Sequence, residues 1–274
     1  MRTGSFLWAL LILLLPVTQS AAAGTLKISL LPAYAPNLTN AKLQALTDYL
    51  NQRTGLKLEP EISADFTQYE NRLKSGAVAV GFQSPAIYIQ VSGTQEVVAM
   101  AVGREGVKDR RRGIIVTMKS SGIKALEDLK GKNVCIAGHF ATYGYLSQKV
   151  TLRTVGIDVE KDMTLTEAMD NKGENVILAL FAGEADAGFV HENALKQAEK
   201  YVNIAAIRVV AVCAWMPNWA LTVNKALPED DKKRIQAAAL EIPVGHPVLD
   251  ALNLENFRYS SDDDYQLVRE AMAQ

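Results

Sequence analysis

Leu43, Leu46 and Leu50 recur at helical spacing within AKLQALTDYLNQRTG (41–55), and Gly55 closes the run, so a helix is predicted there. The apolar runs on either side, LKISLLPAY (26–34) and LKLEPEI (56–62), read as strands. FTQYENRLKSG (66–76) is a short helix, AVAVGF (77–82) a buried strand, and SPAIYIQVS a helix with Pro85 in its first turn. VVAMAV (97–102) ends this block as a strand.

The same alternation then restarts. GIIVTMK (113–119) is a strand, and IKALEDLKGK (123–132) a helix with Ile123, Leu126 and Leu129 in register. NVCIA (133–137) is a strand that opens through GHFATYGYLSQ (138–148) into a helix along Leu146, Val150 and Val155. NVILALFAG (175–183) is helical, ADAGFV (185–190) a strand, ENALKQAEKY (192–201) helical, and IRVVAVCAW (207–215) a strand leading into MPNWALTV (216–223). Two helices close the chain, PEDDKKRIQAAAL (228–240) and the Ser261-capped SDDDYQLVREAM (261–272), both with acidic first turns that suit the helix dipole.

Strands and helices in alternation predict an α/β fold of mostly parallel sheets covered by helices on both faces. The expected division is a first lobe from 24–107, a second from 108–216, and a return through 217–274 that packs back on the first lobe. In such sheets ligands bind beyond the carboxyl ends of strands, where helix starts expose amides.

The N-terminus sets the compartment. Arg2 supplies a positive end, Phe6 to Val17 an apolar segment too short and too early to span a bilayer well, and Ala21-Ala22-Ala23 a small-residue cleavage site. The expectation is an exported, soluble protein cleaved after Ala23. No cysteine adjoins that site, so a lipid anchor is not expected.

A net charge of -1 leaves no electrostatic footprint for nucleic acid or an anionic membrane. The one basic run, Lys108 to Arg112, reads as a solvated loop. Cys135 and Cys213 both sit in apolar runs, which permits either one disulfide or two buried thiols.

Four strand-to-helix junctions are candidates to share one cleft: Pro32 to Tyr34, Ser84 to Tyr88, Ala141 to Gly144, and Val190 to Asn193. Each brings amides, hydroxyls or an aromatic ring, which suits a small oxyanion; the same Ser, Thr and Asn also fit as helix caps. Catalysis has less support. His139, His191 and His246 show no metal-ligand spacing, Cys135 and His139 lack an orienting third group, and there is no nucleophile elbow or phosphate-cradling loop. A binding protein without cofactor or metal is expected, and an exported enzyme using Cys135 or His139 is the remote alternative.

SGIKALEDLKGKNVCIAG (121–138) followed by TYGYLSQKVTLRTVGID (142–158) resembles the second lobe of a periplasmic solute-binding protein. VGFQSPAIYI, AGEADAGFVHENALK and MPNWALTV extend the likeness over nearly the whole mature chain. Together they are most similar to the phosphate/phosphite/phosphonate-binding family of ABC importers. That resemblance implies a two-lobed type II periplasmic binding fold, hinged between lobes. It also implies a monomer that clamps a small anion, a phosphonate- or phosphite-like oxyanion or a related organic anion, for an inner-membrane ABC permease. A ligand sensor serving a membrane histidine kinase is the alternative.

The family's ligand positions carry over unevenly. Its Ser-Thr-Ser loop stands here as Ala141-Thr142-Tyr143, its first-lobe Tyr as Phe66, and its second-lobe Ser-His as Lys172-Gly173. Tyr88 matches, Glu192 stands in for the family's acidic residue, and Cys213 for a small hydroxyl. Tyr34, Ser84, His139 and His191 complete the candidate set. The lost hydroxyls predict weak binding of inorganic phosphate and simple phosphonates, and better binding of a less charged or partly organic ligand.

Overall fold

The computed structural model describes residues 25–104 and 108–273. The expected leader and its cleavage site lie outside the described residues.

The first lobe opens with β1 (Leu26–Leu30), α1 (Pro36–Thr54), β2 (Leu58–Pro60), α2 (Phe66–Lys74), β3 (Val80–Gln83), α3 (Pro85–Val91) and β4 (Gln95–Gly103). β1 stops short of the expected Tyr34 because Pro32 has no N–H to continue a ladder. Pro36 then starts α1 earlier than expected, its missing N–H costing nothing in a first turn. Gly55 ends that helix at φ 69° and donates its N–H to Asn51 O. Leu43, Leu46 and Leu50 are fully buried, each worth roughly 1.5–3 kcal/mol of apolar burial.

The second lobe runs β5 (Arg110–Met118), β6 (Asn133–Ile136), α4 (Ser147–Thr154), α5 (Val159–Asp162), β7 (Thr164–Glu167), α6 (Gly173–Ala182), β8 (Ala187–His191), α7 (Ala194–Ala198) and β9 (Ile207–Pro217). The helix expected over 123–132 is a single 3₁₀ turn, Leu126–Leu129. Asp128 closes that turn by accepting the N–H groups of Lys124 and Ala125, and Lys130 leaves in an extended conformation. A π turn, Thr142–Leu146, precedes α4. The chain returns through β10 (Ala220–Asn224), α8 (Glu229–Leu240), α9 (Pro247–Leu252), β11 (Leu254–Tyr259) and α10 (Gln266–Met272).

The strands form two sheets, ordered β11-β4-β10-β3-β1-β2 and β7-β6-β8-β5-β9. Pairing is mixed rather than mostly parallel. β1 pairs β2 and β3 in parallel, and β6 pairs β7 and β8 in parallel. The strands that enter and leave the crossings, β4, β5, β9 and β10, run antiparallel to their neighbours. A chain that crosses between lobes and returns must do so in opposite directions, which antiparallel pairing accommodates.

The two crossings are bonded together: Arg110 pairs with Pro217, Asn218 N–H donates to Asp109 O at 3.1 Å, and Ala101 N–H donates to Trp219 O at 2.9 Å. The tail departs from expectation. Tyr265 packs against Tyr88 and Met100, but Val268 and Ala271 of α10 join Ile115 and Phe189 in a second-lobe core, so the tail bridges both lobes. Cys135 and Cys213 are free buried thiols in separate cores.

Candidate functional site: the cleft between the lobes

Loops beyond the carboxyl ends of β1, β3, β6 and β8 line a cavity of about 390 Å³ between the lobes. Its second-lobe wall is the stretch that follows β6. The chain leaves β6 through Gly138 at φ 139°, where a Cβ would also meet the Asn171 side chain at 3.0 Å. Gly144 lets the π turn lie against the end of β6, since a Cβ there would come within 2.8 Å of Ala137 Cβ. Gln148, fully buried, donates Nε2 to the carbonyls of Ile114, Tyr143 and Val190, which ties the turn to β5 and β8.

Thr142 lines the cavity but is buried, and its Oγ1 accepts from Ala86 N–H at 3.1 Å. Tyr143 donates its hydroxyl to Pro217 O at 3.0 Å, so that group is engaged at the crossing. Its ring meets the His191 ring edge-on, with centroids 5.3 Å apart. His191 Nδ1 accepts from Asn193 N–H at 3.2 Å, which puts the proton of the neutral ring on Nε2. That Nε2 is buried and has no partner among the described residues. Burial, with Arg111 adding to it, pushes the imidazole pKa down to about 4.

From the first lobe, Ser84 and Ile87 lie one turn apart on the α3 face that looks into the cavity, and Phe66 joins them from the start of α2. Ser84 is placed at the N-cap of α3 but its hydroxyl makes no cap bond. Tyr34 is half-exposed and lies beside Trp219, ring centroids 6.2 Å apart, in a second cavity of about 520 Å³. The two cavities share Tyr143, His191 and Trp219.

Four candidates lie elsewhere. Tyr88 is rotated about 100° around α3 from Ile87; it is buried and donates to Asp262 Oδ1 at 2.6 Å. His139 is turned to the surface by the Gly138 conformation, where Nδ1 meets Glu167 Oε1 at 2.6 Å. Glu192 pairs with Arg112 Nε at 3.0 Å, because β8 and β5 are neighbours. Cys213 is buried inside the second lobe, and burial pushes its thiol up to about 12, leaving it inert as a nucleophile.

Sequence reasoning placed Trp219 at the return crossing without seeing that it lines the cleft, and it missed Phe140, Asn171 and above all Arg111, which lines the second cavity. Arg110 to Arg112 form the start of β5 rather than a loop, so their side chains diverge. Arg112 stacks 4.2 Å over the Trp215 ring, while Arg111 turns to the cleft. The strand continuing through Gly113 to Met118 was the available signal. Among the described residues no group of three or more His, Cys, Asp or Glu is placed to hold a metal.

Comparison with known proteins agrees with this architecture. XAC2383 from Xanthomonas citri, bound to chloride ion, shares the fold at a TM-score of 0.76 and 18% identity, over 91% of this chain and 96% of that one. PhnD1 from Prochlorococcus marinus, in complex with methylphosphonate, gives a TM-score of 0.72 at 13% identity, over 90% and 96%. PA3383 from Pseudomonas aeruginosa, a binding protein component of an ABC phosphonate transporter, gives 0.69 at 15%, over 90% and 85%. Residues 28–265 match the family described as ABC transporter, phosphonate, periplasmic substrate-binding protein. The chain belongs to that family of two-lobed, non-enzymatic transport components, which bind a small ligand in the periplasm for a permease.

Proposed function

We propose that the protein is the periplasmic receptor of an ABC importer and closes on a small organic anion held between its lobes. In this reading it is exported, cleaved after Ala23 and free of a lipid anchor. It acts as a monomer on an inner-membrane permease. The observation that carries the proposal is a cavity walled from both lobes and bridged by the Ala86 N–H to Thr142 hydrogen bond. Ser84 and His191 offer donors there, and Phe66, Ile87 and Trp219 offer apolar surface.

A phosphonate alone is a poor fit. Ala141 and Phe66 bring no hydroxyl to the wall, and Tyr143 has given its own to Pro217. A dianion stripped of water needs each oxygen satisfied. An organic anion with fewer unsatisfied oxygens and more apolar surface suits the cavity better.

Calorimetric titration with inorganic phosphate, alkylphosphonates, alkylsulfonates and short carboxylates tests this, with the emission of Trp215 and Trp219 at the return crossing as a readout of closure. We expect micromolar or tighter binding of an organic anion, an emission shift, and weak binding of inorganic phosphate. Binding of none of these compounds, or binding without any emission change, overturns the reading.

A further inference from the structure

The two cavities that meet at Tyr143, His191 and Trp219 differ in charge. The cavity next to α3 is walled by Phe66, Ile87 and Phe140, and among the described residues no Lys or Arg lines it. Its charged residue, Glu70, is already paired with Lys74. The cavity beside the crossings is lined by Arg111 and Lys42, and no carboxylate lines it among the described residues.

Around those crossings most other cations are matched, Arg104 with Asp250, Lys108 with Glu255, Arg112 with Glu192 and Arg258 with Asp109, while Arg110 is exposed and lines neither cavity. Lys42 donates to Ala251 O at 2.6 Å. Arg111 has no ion pair among the described residues. Its guanidinium rests over Gly103, where a Cβ would come within 2.8 Å of Nη2, so the missing side chain is the seat.

We propose that the ligand's oxyanion head docks on Arg111 beside the crossings, while its organic part passes Tyr143 and His191 into the apolar cavity. This rests on the cleft being the ligand site. An oxyanion removed from water takes a fixed guanidinium in preference to a wall of phenyl and indole rings. The partnerless Nε2–H of His191 borders both cavities and offers a donor at their junction, on the side that faces the head. The substrate class is therefore an oxyanion carrying an apolar chain of several carbons, and the two volumes fall in the range of about 300–1,000 Å³ that organic ligands fill.

The test is calorimetry with methyl-, butyl- and hexylphosphonate and the matching sulfonates, on wild type, Arg111→Gln, Arg111→Lys, Gly103→Ala and Phe66→Ser. Wild type should gain roughly fourfold in affinity per methylene until the apolar cavity is full. Arg111→Gln should lose at least tenfold for every member, with Arg111→Lys recovering part of it. Gly103→Ala, which keeps the charge but pushes it off its seat, should lose severalfold. Phe66→Ser should flatten the dependence on chain length. Thermal melts confirm that each variant is folded. If wild type binds these compounds and folded Arg111→Gln matches it within twofold, the proposal falls while the cleft reading stands. It also falls alone if affinity is independent of chain length. If no compound binds wild type, this proposal falls, and the cleft reading falls with it only when short carboxylates also fail to bind.

Discussion

Thr142 Oγ1 accepts the backbone N–H of Ala86 at 3.1 Å, so a turn of the second lobe is latched to a helix start of the first. Both groups are buried, and the bond exists only while the lobes are together. A net hydrogen bond of this kind is worth about 0.5–1.5 kcal/mol.

Thr142→Val keeps the shape and removes the acceptor, so we expect it to bias the free protein toward an open form. Small-angle scattering of the ligand-free variant should give a larger radius of gyration than wild type. Ligand affinity should fall by roughly twofold to tenfold, the range set by that bond. Identical scattering curves would show that the bond does not govern closure.

Tyr88 sits in the first lobe, and its hydroxyl is given to Asp262, which Arg269 also holds at 2.7 Å. Burial and the adjoining carboxylate raise the phenol pKa, so it stays a neutral donor. We expect Tyr88→Phe to cost about 1–2 kcal/mol of stability, as for a lost bond to a charged acceptor that keeps another partner. Ligand affinity should not change. Chemical denaturation and calorimetry on the same preparation separate the two effects, and a loss of affinity without loss of stability would return Tyr88 to the site.

The contrast between Tyr88 and Ile87 shows where the sequence is legible. α1 has one apolar face, so its leucines announce both the helix and the side it buries. α3 is buried nearly all round, and no periodicity tells which of two adjacent residues looks into the cleft. β7 offers a single leucine in 4 residues, and β11 breaks its alternation at Glu255-Asn256, where the ladder shifts register, so neither stands out. α9 is a single capped turn and a half, started by His246 and Pro247. Arg111 was hidden differently: three successive arginines resemble a solvated run until pairing with β9 turns one of them inward.

His191 makes stability depend on pH in a direction that can be worked out. Its unfolded value is 6.5 and its folded value about 4. Between these pH values the unfolded chain binds more protons at this site, so stability declines as pH falls from about 6.5 and the loss is complete below about 4. Burial and, after it, Arg111 favour the neutral ring, and Glu192 opposes them. We expect His191→Gln to show a shallower fall in melting temperature over this window than wild type. Parallel curves for the two proteins would mean that His191 is not held neutral.

β10 lies between β3 and β4 in the first sheet, although about 120 residues of chain separate it from β4. Until residues 220–224 have been made, β3 and β4 have no strand to join them, and the first sheet exists only as fragments. The second sheet draws all its strands from 110–217 and has no such dependence. Contacts this distant in sequence form slowly. The first sheet therefore waits on the return crossing, while the second can complete without it. Pulsed hydrogen exchange during refolding should accordingly protect β6 and β8 before β3 and β4; the reverse order would remove strand insertion as the slow step.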